Sequence, residues 1–309
     1  MLHKVRKVMQ LKFRSSFRFA WVPFWHTLLA LLLLPHVAIA QGSDVENLRR
    51  LAGQGDATAQ FNLGRIYAHG QGVPQNYASA VRWYRASAEQ GNADAQFSLG
   101  AIYTSGRGVP QNDATAVRWY RAAAEQGNAH AQFILGLMYN IGQGVPQNHA
   151  SAVRWYRAAA EQGLAASQLN LGFMYNIGQG VPQNHVTAVR WYRAAADQGE
   201  ANAQLNLGVM YVSGHGVPQN HATAVRLFRA AAEQGNADAQ LNLGAMYANG
   251  IGVPQNFVSA HMWVNLAAAK GAARSTEIRD RIASRMTPAQ IAQAQRRASA
   301  CSASSYRTC

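Results

Sequence analysis

Cysteine is nearly missing from this chain. Cys301 and Cys309 are the only two in 309 residues, and both lie in the Ser/Ala-rich C-terminal stretch. That excludes a disulfide framework through the body and leaves room for one small loop outside the core. Lysine is almost as scarce, with Lys270 the single example after the first forty residues. No S-x-x-K, G-x-S-x-G, HExxH or CxxC pattern occurs, so activated-serine and metallohydrolase arrangements lack a candidate. No catalytic residue, cofactor or metal ligand is expected. Acids number only 14 against 28 Lys and Arg. Long apolar runs are missing too: the run centred on Leu28–Leu34 falls far short of the roughly 20 residues a membrane span needs.

What is present begins with a basic leader. Lys4, Arg6, Lys7, Lys12, Arg14 and Arg18 precede that short apolar run, and Ala38-Ile39-Ala40 forms a small-x-small cleavage site before Gln41. Residues 1–40 read as a signal peptide, with retention as an inner-membrane anchor the alternative. The expected product is exported, either to the periplasm or into the medium. The leader holds six basic residues and no acid, so the formal charge of +14 falls to +8 without it. Translation from Met9 in place of Met1 fits the same pattern.

The body of the chain is a repeat. Val-Pro-Gln-Asn recurs at Val73, Val109, Val145, Val181, Val217 and Val253, always 36 residues apart. A strict period of this length marks a solenoid, in which each unit buries its apolar face only against its neighbours. Six units follow: 55–90, 91–126, 127–162, 163–198, 199–234 and 235–270. In the second, Ala93, Leu99, Ile102 and Tyr103 fall at helical spacing, with Asn92 placed to cap helix A. The glycines and proline of "RGVPQN" make a turn, and Asn112 is placed to cap helix B, which carries Ala116, Trp119, Tyr120 and Ala123 on one side. Gly100 and the alanines allow the two helices to approach closely.

Both ends read as caps. Residues 41–54 form a lone helix with a Ser43/Glu46 capping box, placing Leu48 in the slot later filled by Tyr84. Residues 271–300 form capping helices, with Thr287 at a helix start, Pro288 at the first helical position and Gln290 completing a capping box. Residues 301–309 read as a flexible tail.

The pattern A-x-A-Q-x-x-L-G-x-x-Y, then G-x-G-V-P-Q-N, then A-V-x-W-Y-x-x-A-A-x-Q-G resembles the Sel1-like repeat family, a relative of the tetratricopeptide repeat. The likeness covers all six units. It implies an all-α, right-handed α/α superhelical solenoid with helix A lining a concave surface, and a role as an adaptor or scaffold for other proteins. Cysteine-rich bacterial relatives are linked to β-lactam binding or cleavage, which makes an envelope enzyme or cell-wall-binding protein the alternative. Their repeats carry disulfides, and these six repeats contain no cysteine.

Positions shared by all units belong to the fold, so function is sought where the units differ. The fourth, eighth, eleventh and fifteenth residues of each unit share one side of helix A, within about 60° of one another. That stripe is polar at both ends of the array and apolar in the middle, where Ile134, Leu137, Ile141, Phe173 and Ile177 occur, with Asn170, Asn206 and Val209 beside them. These eight residues are the expected contact set for a peptide or protein segment, unless curvature of the stack buries them.

Three further patterns read differently. The recurring Arg82/Arg85 pairs, each followed by an acid such as Glu89, read as a salt-bridged solvated face. Residues 271–309 hold seven Arg and two acids, so a polyanionic surface would choose the tail, although no specific nucleic-acid module is present. His149, His185 and His221 occupy one phase of three units, but equivalent side chains a unit apart stand too far from each other to share one ion.

Overall fold

The computed structural model describes residues 42–306 and 309, so the leader lies outside the described residues. Fifteen helices and no strand are present among them. In chain order these are α1 (Gly42–Gly53), α2 (Ala57–His69), α3 (Tyr77–Glu89), α4 (Ala93–Ser105), α5 (Asp113–Glu125), α6 (Ala129–Ile141), α7 (His149–Glu161), α8 (Ala165–Ile177), α9 (His185–Asp197), α10 (Ala201–Ser213), α11 (His221–Glu233), α12 (Ala237–Asn249), α13 (Phe257–Ala269), α14 (Ser275–Ala283) and α15 (Pro288–Ala303). From α2 to α13 the even-numbered helices are the A helices and the odd-numbered ones the B helices of an α/α solenoid.

Short polar side chains start these helices. Asn76, Asn112, Asn148, Asn184, Asn220 and Asn256 each accept a hydrogen bond from the amide three residues on, at 2.8–2.9 Å. Such caps satisfy amides that the helix cannot, and each is worth about 1 kcal/mol. The A helices end at glycines in the left-handed region, for example Gly106 at φ 70° and Gly142 at φ 77°. There a side chain would strain the backbone. In five of the six repeats the glutamine of Val-Pro-Gln-Asn then ties the turn back to helix A: Gln75 Nε2 donates to Ala68 O at 2.8 Å, and Gln147 Nε2 to Asn140 O at 2.7 Å, while Gln111 turns to Asp113 instead.

Two compact units divide the described chain, one of residues 42–167 with 178–182, the other of 168–177 with 183–309. In the first, each helix packs on the next from α1 to α7; in the second the same succession runs from α9 to α13, and α14 and α15 both pack on α13. The core joint of the first five repeats is a glycine beneath an aromatic ring. A Cβ on Gly136 would stand 2.7 Å from Tyr156 Cδ1, and one on Gly100 would stand 2.6 Å from Tyr120 Cδ1. Here glycine is required by closeness and not by φ. Phe228 fills the tyrosine slot over Gly208, and Val264 fills it over Gly244.

Polar side chains join the helices both between repeats and within them. Gln96 Nε2 donates to Ala88 O at 3.1 Å, and Gln126 Nε2 donates to Gln96 Oε1 at 2.7 Å. The same two bonds recur at Gln132 with Ala124 O and at Gln162 with Gln132. The buried glutamine of A-x-A-Q is thereby satisfied, which removes the desolvation cost of an unpaired amide.

The caps differ from expectation in three places. Helix α1 begins at Gly42, so Ser43 falls inside the helix and not at its N-cap. Leu48 does pack with Ala52, Ala59 and Leu63. At the other end, Thr287 and Gln290 form the expected reciprocal capping box. The stretch read as a flexible tail from residue 301 is instead folded. Helix α15 continues to Ala303, and Cys301 is fully buried against Ala294 and Ala298 and bonded to Cys309. Tyr306 lies over the Lys270 ammonium at 4.4 Å, while Lys270 Nζ donates to Gly235 O at 2.6 Å. The disulfide therefore closes against the core and not outside it.

Candidate interaction site

Helix A projects four residues per repeat toward its non-core side, and packing treats them unequally. In the unit of residues 42–167, Ile134 is 2% exposed and belongs to the core around Leu135 and Met138, while Leu137 is half-buried and Ile141 is 42% exposed. In the other unit, Val209 is 8% exposed and packs beside Leu205 and Val212. Asn170, Phe173 and Asn206 are half-buried, and Ile177 is 41% exposed. Ile134 and Val209 are therefore removed from the ligand-facing set. Packing buries Ser98 and Ile134 at the eighth position and Ala101 and Val209 at the eleventh, and leaves the other residues at these two positions half-buried. The fifteenth position is the most open: His69, Ile141, Ile177, Ser213 and Asn249 are exposed there, and Ser105 is half-buried.

Arg85, Arg121, Arg193 and Arg229 reach the next A helix and not the acid four residues on. Arg85 donates to the Tyr103 hydroxyl of the next A helix at 2.6 Å, Arg121 to Tyr139 at 2.6 Å and Arg193 to Tyr211 at 3.1 Å. Arg229 makes the same bond to Tyr247. In three of the pairs the other arginine lies on the ring of the neighbouring tryptophan: Arg82 over Trp83, Arg154 over Trp155 and Arg190 over Trp191, at 4.8–5.1 Å. Such contacts contribute about 0.5–1 kcal/mol each at exposed sites.

The basic C-terminal segment is likewise engaged within the fold. Arg274 and Arg281 pair with Glu277, Arg279 pairs with Asp280, and Arg285 covers Phe257 at 4.6 Å. This weakens the polyanion reading, leaving, among the described arginines of the segment, Arg296 and Arg297 as an exposed adjacent pair on α15.

Titratable groups inside the stack are held neutral by burial. Loss of solvent pushes the Tyr156 and Tyr192 hydroxyls well above the usual phenol range, and neither finds a hydrogen-bond partner among the described residues. His261 is 2% exposed in the slot that Val81 fills in the first repeat. Burial lowers its basicity, and Arg279 lowers it further against an opposing pull from Asp280. His130 is lowered by burial against the carboxylate of Asp94. Among the described residues no group of three or more His, Cys, Asp or Glu is arranged to hold a metal ion, and no helix is long and apolar enough to cross a membrane.

The family model described as the Sel1 repeat matches residues 57–92, 93–128, 129–164, 165–200, 201–236 and 237–271. The chain belongs to the Sel1 repeat family. This Sel1 repeat protein is 36% identical to a protective antigen of uropathogenic Escherichia coli with an SLR fold, at a TM-score of 0.75 over 82% of this chain and 56% of that one. It thus spans little more than half the length of that antigen. A Sel1 repeat protein from Oxalobacter formigenes is 34% identical at a TM-score of 0.64, covering 72% of this chain and 86% of that one. No curated protein matches. The Sel1 repeat fold is typically a scaffold for protein interaction and is generally non-enzymatic.

Sequence reasoning missed one rule of contact. Residues 30 apart meet across the turns: Arg107 donates to the Tyr77 hydroxyl at 3.2 Å, Gln179 meets His149 at 2.9 Å, and His215 stacks on His185 at 5.1 Å. The signal was available in the fixed period, but comparing like positions 36 residues apart hides it.

Proposed function

We propose that this protein is an exported scaffold that binds a peptide or protein segment along the side lined by its A helices. The observation that carries the reading is the exposure of two isoleucines at the fifteenth position of their repeats. Ile141 is 42% and Ile177 is 41% exposed, where other repeats place histidine, serine or asparagine. Exposed large apolar groups at sites the fold does not require mark contact surfaces. Each unit contributes its own set, Leu137 and Ile141 in one, Phe173 and Ile177 with Asn170 and Asn206 in the other. Export to the periplasm rests on the leader of residues 1–40, and likeness to a protective antigen accords with it.

Affinity capture from envelope extract tests the binding, using the full chain beside Leu137→Ser/Ile141→Ser and Phe173→Ser/Ile177→Ser variants at low and high salt. A partner lost with either variant, while circular dichroism stays unchanged, supports the reading. Capture that ignores both variants but disappears in salt refutes it. N-terminal sequencing of the periplasmic fraction tests export, with Gln41 the expected first residue.

A further inference from the structure

We propose that His185 and His215 form a two-imidazole site for a borderline divalent transition-metal ion of the Zn²⁺, Ni²⁺ or Cu²⁺ class, joining two successive repeats. His185 opens helix α9, and His215 sits in the turn after α10, 30 residues on. The rings stack at 5.1 Å between centroids and 14° between planes.

Tautomer decides whether such a pair can bind a metal, and the surroundings decide the tautomer. His185 Nδ1 lies 3.1 Å from Asn176 Oδ1, and an amide oxygen only accepts, so Nδ1 carries the proton. The lone pair is then on Nε2. A ring hydrogen bond of this kind fixes orientation and raises ligand strength in metal-binding histidines. The preceding repeat shows where that lone pair points. His149 makes the same Nδ1 contact to Asn140 at 3.0 Å, and its Nε2 meets the amide nitrogen of Gln179 at 2.9 Å. Gln179 is the counterpart of His215, so the sequence has placed a second imidazole where its neighbour places an amide donor.

Two imidazoles are a borderline, nitrogen-only donor set, suited to Zn²⁺, Ni²⁺ and Cu²⁺ and unsuited to Ca²⁺ or Mg²⁺. His215 is exposed and His185 half-buried, which leaves the remaining coordination positions open to water. Metal–nitrogen bonds of about 2.0–2.1 Å require the two ring nitrogens to converge to about 3.3 Å in tetrahedral geometry. The exposed His215 reaches this by turning about its side-chain torsions, while Asn176 holds His185 in place.

Titration calorimetry of the full chain with ZnCl₂, NiCl₂ and CuCl₂ at neutral pH provides the test, beside His215→Gln and a His69→Gln control. His215→Gln reproduces the native Gln179 arrangement and is therefore expected to fold; His185→Tyr, which copies Tyr77, serves as the second variant. The expected result is a site filled by one ion per chain that weakens at least tenfold in His215→Gln and His185→Tyr and not in His69→Gln, with Cu²⁺ binding tightest. The difference between variants isolates the pair from the other histidines. Binding unchanged by both pair variants, or no site present in the wild type and absent from them, overturns the proposal.

Discussion

Replacing Gly136 by alanine sets two opposite effects against each other. Alanine in a helix interior gains about 0.8–1.0 kcal/mol over glycine. The new Cβ, however, would lie 2.7 Å from Tyr156 Cδ1, 2.8 Å from Cε1 and 3.3 Å from Ala152 O. Carbon atoms pack at about 3.5–4.0 Å, so two ring atoms overlap by nearly 1 Å, and overpacking of that kind costs about 1–3 kcal/mol. Tyr156 is fully buried and cannot retreat. The net expectation is a loss of about 1 kcal/mol. Tyr156→Ala removes the ring, at a cost of about 3–5 kcal/mol for a lost aromatic core side chain. In that background Gly136→Ala should become stabilising by nearly 1 kcal/mol, a coupling of about 2 kcal/mol between the two sites. Because repeat arrays unfold in parts, the assay is hydrogen exchange resolved to the amides of α6 and α7, supported by urea titration. Equal destabilisation by Gly136→Ala in both backgrounds would refute the close-approach argument.

Other outcomes follow from the same structure. Tyr156→Phe should leave stability unchanged or raise it by up to about 1–3 kcal/mol, since the buried hydroxyl lacks a partner among the described residues and Phe228 already fills the equivalent slot; a loss above 1 kcal/mol in urea unfolding would show the hydroxyl to be bonded. Because His261 is less basic folded than unfolded, its contribution is present above the unfolded value near 6.5 and is lost as pH falls below it. His261→Val should therefore flatten the pH dependence of cap exchange between pH 7 and 5, measured at the amides of α13 and α14. Gln132→Leu should cost about 1–3 kcal/mol, because it removes the buried acceptor of Gln162 Nε2 and one of the donors to Ala124 O, which keeps the Gly127 amide. Cys309→Ser should cost about 2–3 kcal/mol by the loop-entropy estimate, read as faster exchange in α15 alone.

The architecture was legible because the period is strict and the caps are local. Asn92, Asn112 and Thr287 do what their positions imply, since a helix cap needs only a side chain three residues from the amide it serves. The contact set was less legible. Ile134 and Ile141 are both isoleucines on one stripe of α6, yet one is buried and the other open, because exposure depends on how neighbouring A helices abut. Periodicity within one helix carries no record of that. Arg85 was misassigned for a similar reason: its acidic neighbour is four residues away, but its partner Tyr103 is eighteen away, in the next repeat. The pairing of His185 with His215 needed the 30-residue offset that only the stacked geometry reveals.

That offset bears on how such a chain changes length. Excising residues 91–126 in frame would leave Arg85 facing Tyr139 in place of Tyr103, Gln132 bonding to Ala88 O in place of Gln96, and Tyr77 meeting Gln143 in place of Arg107. Two of the three junctions would be chemically unchanged, and the third would exchange one polar side chain for another. Unequal recombination between near-identical gene segments can therefore add or delete whole units without breaking a joint, which makes repeat number heritable variation open to selection.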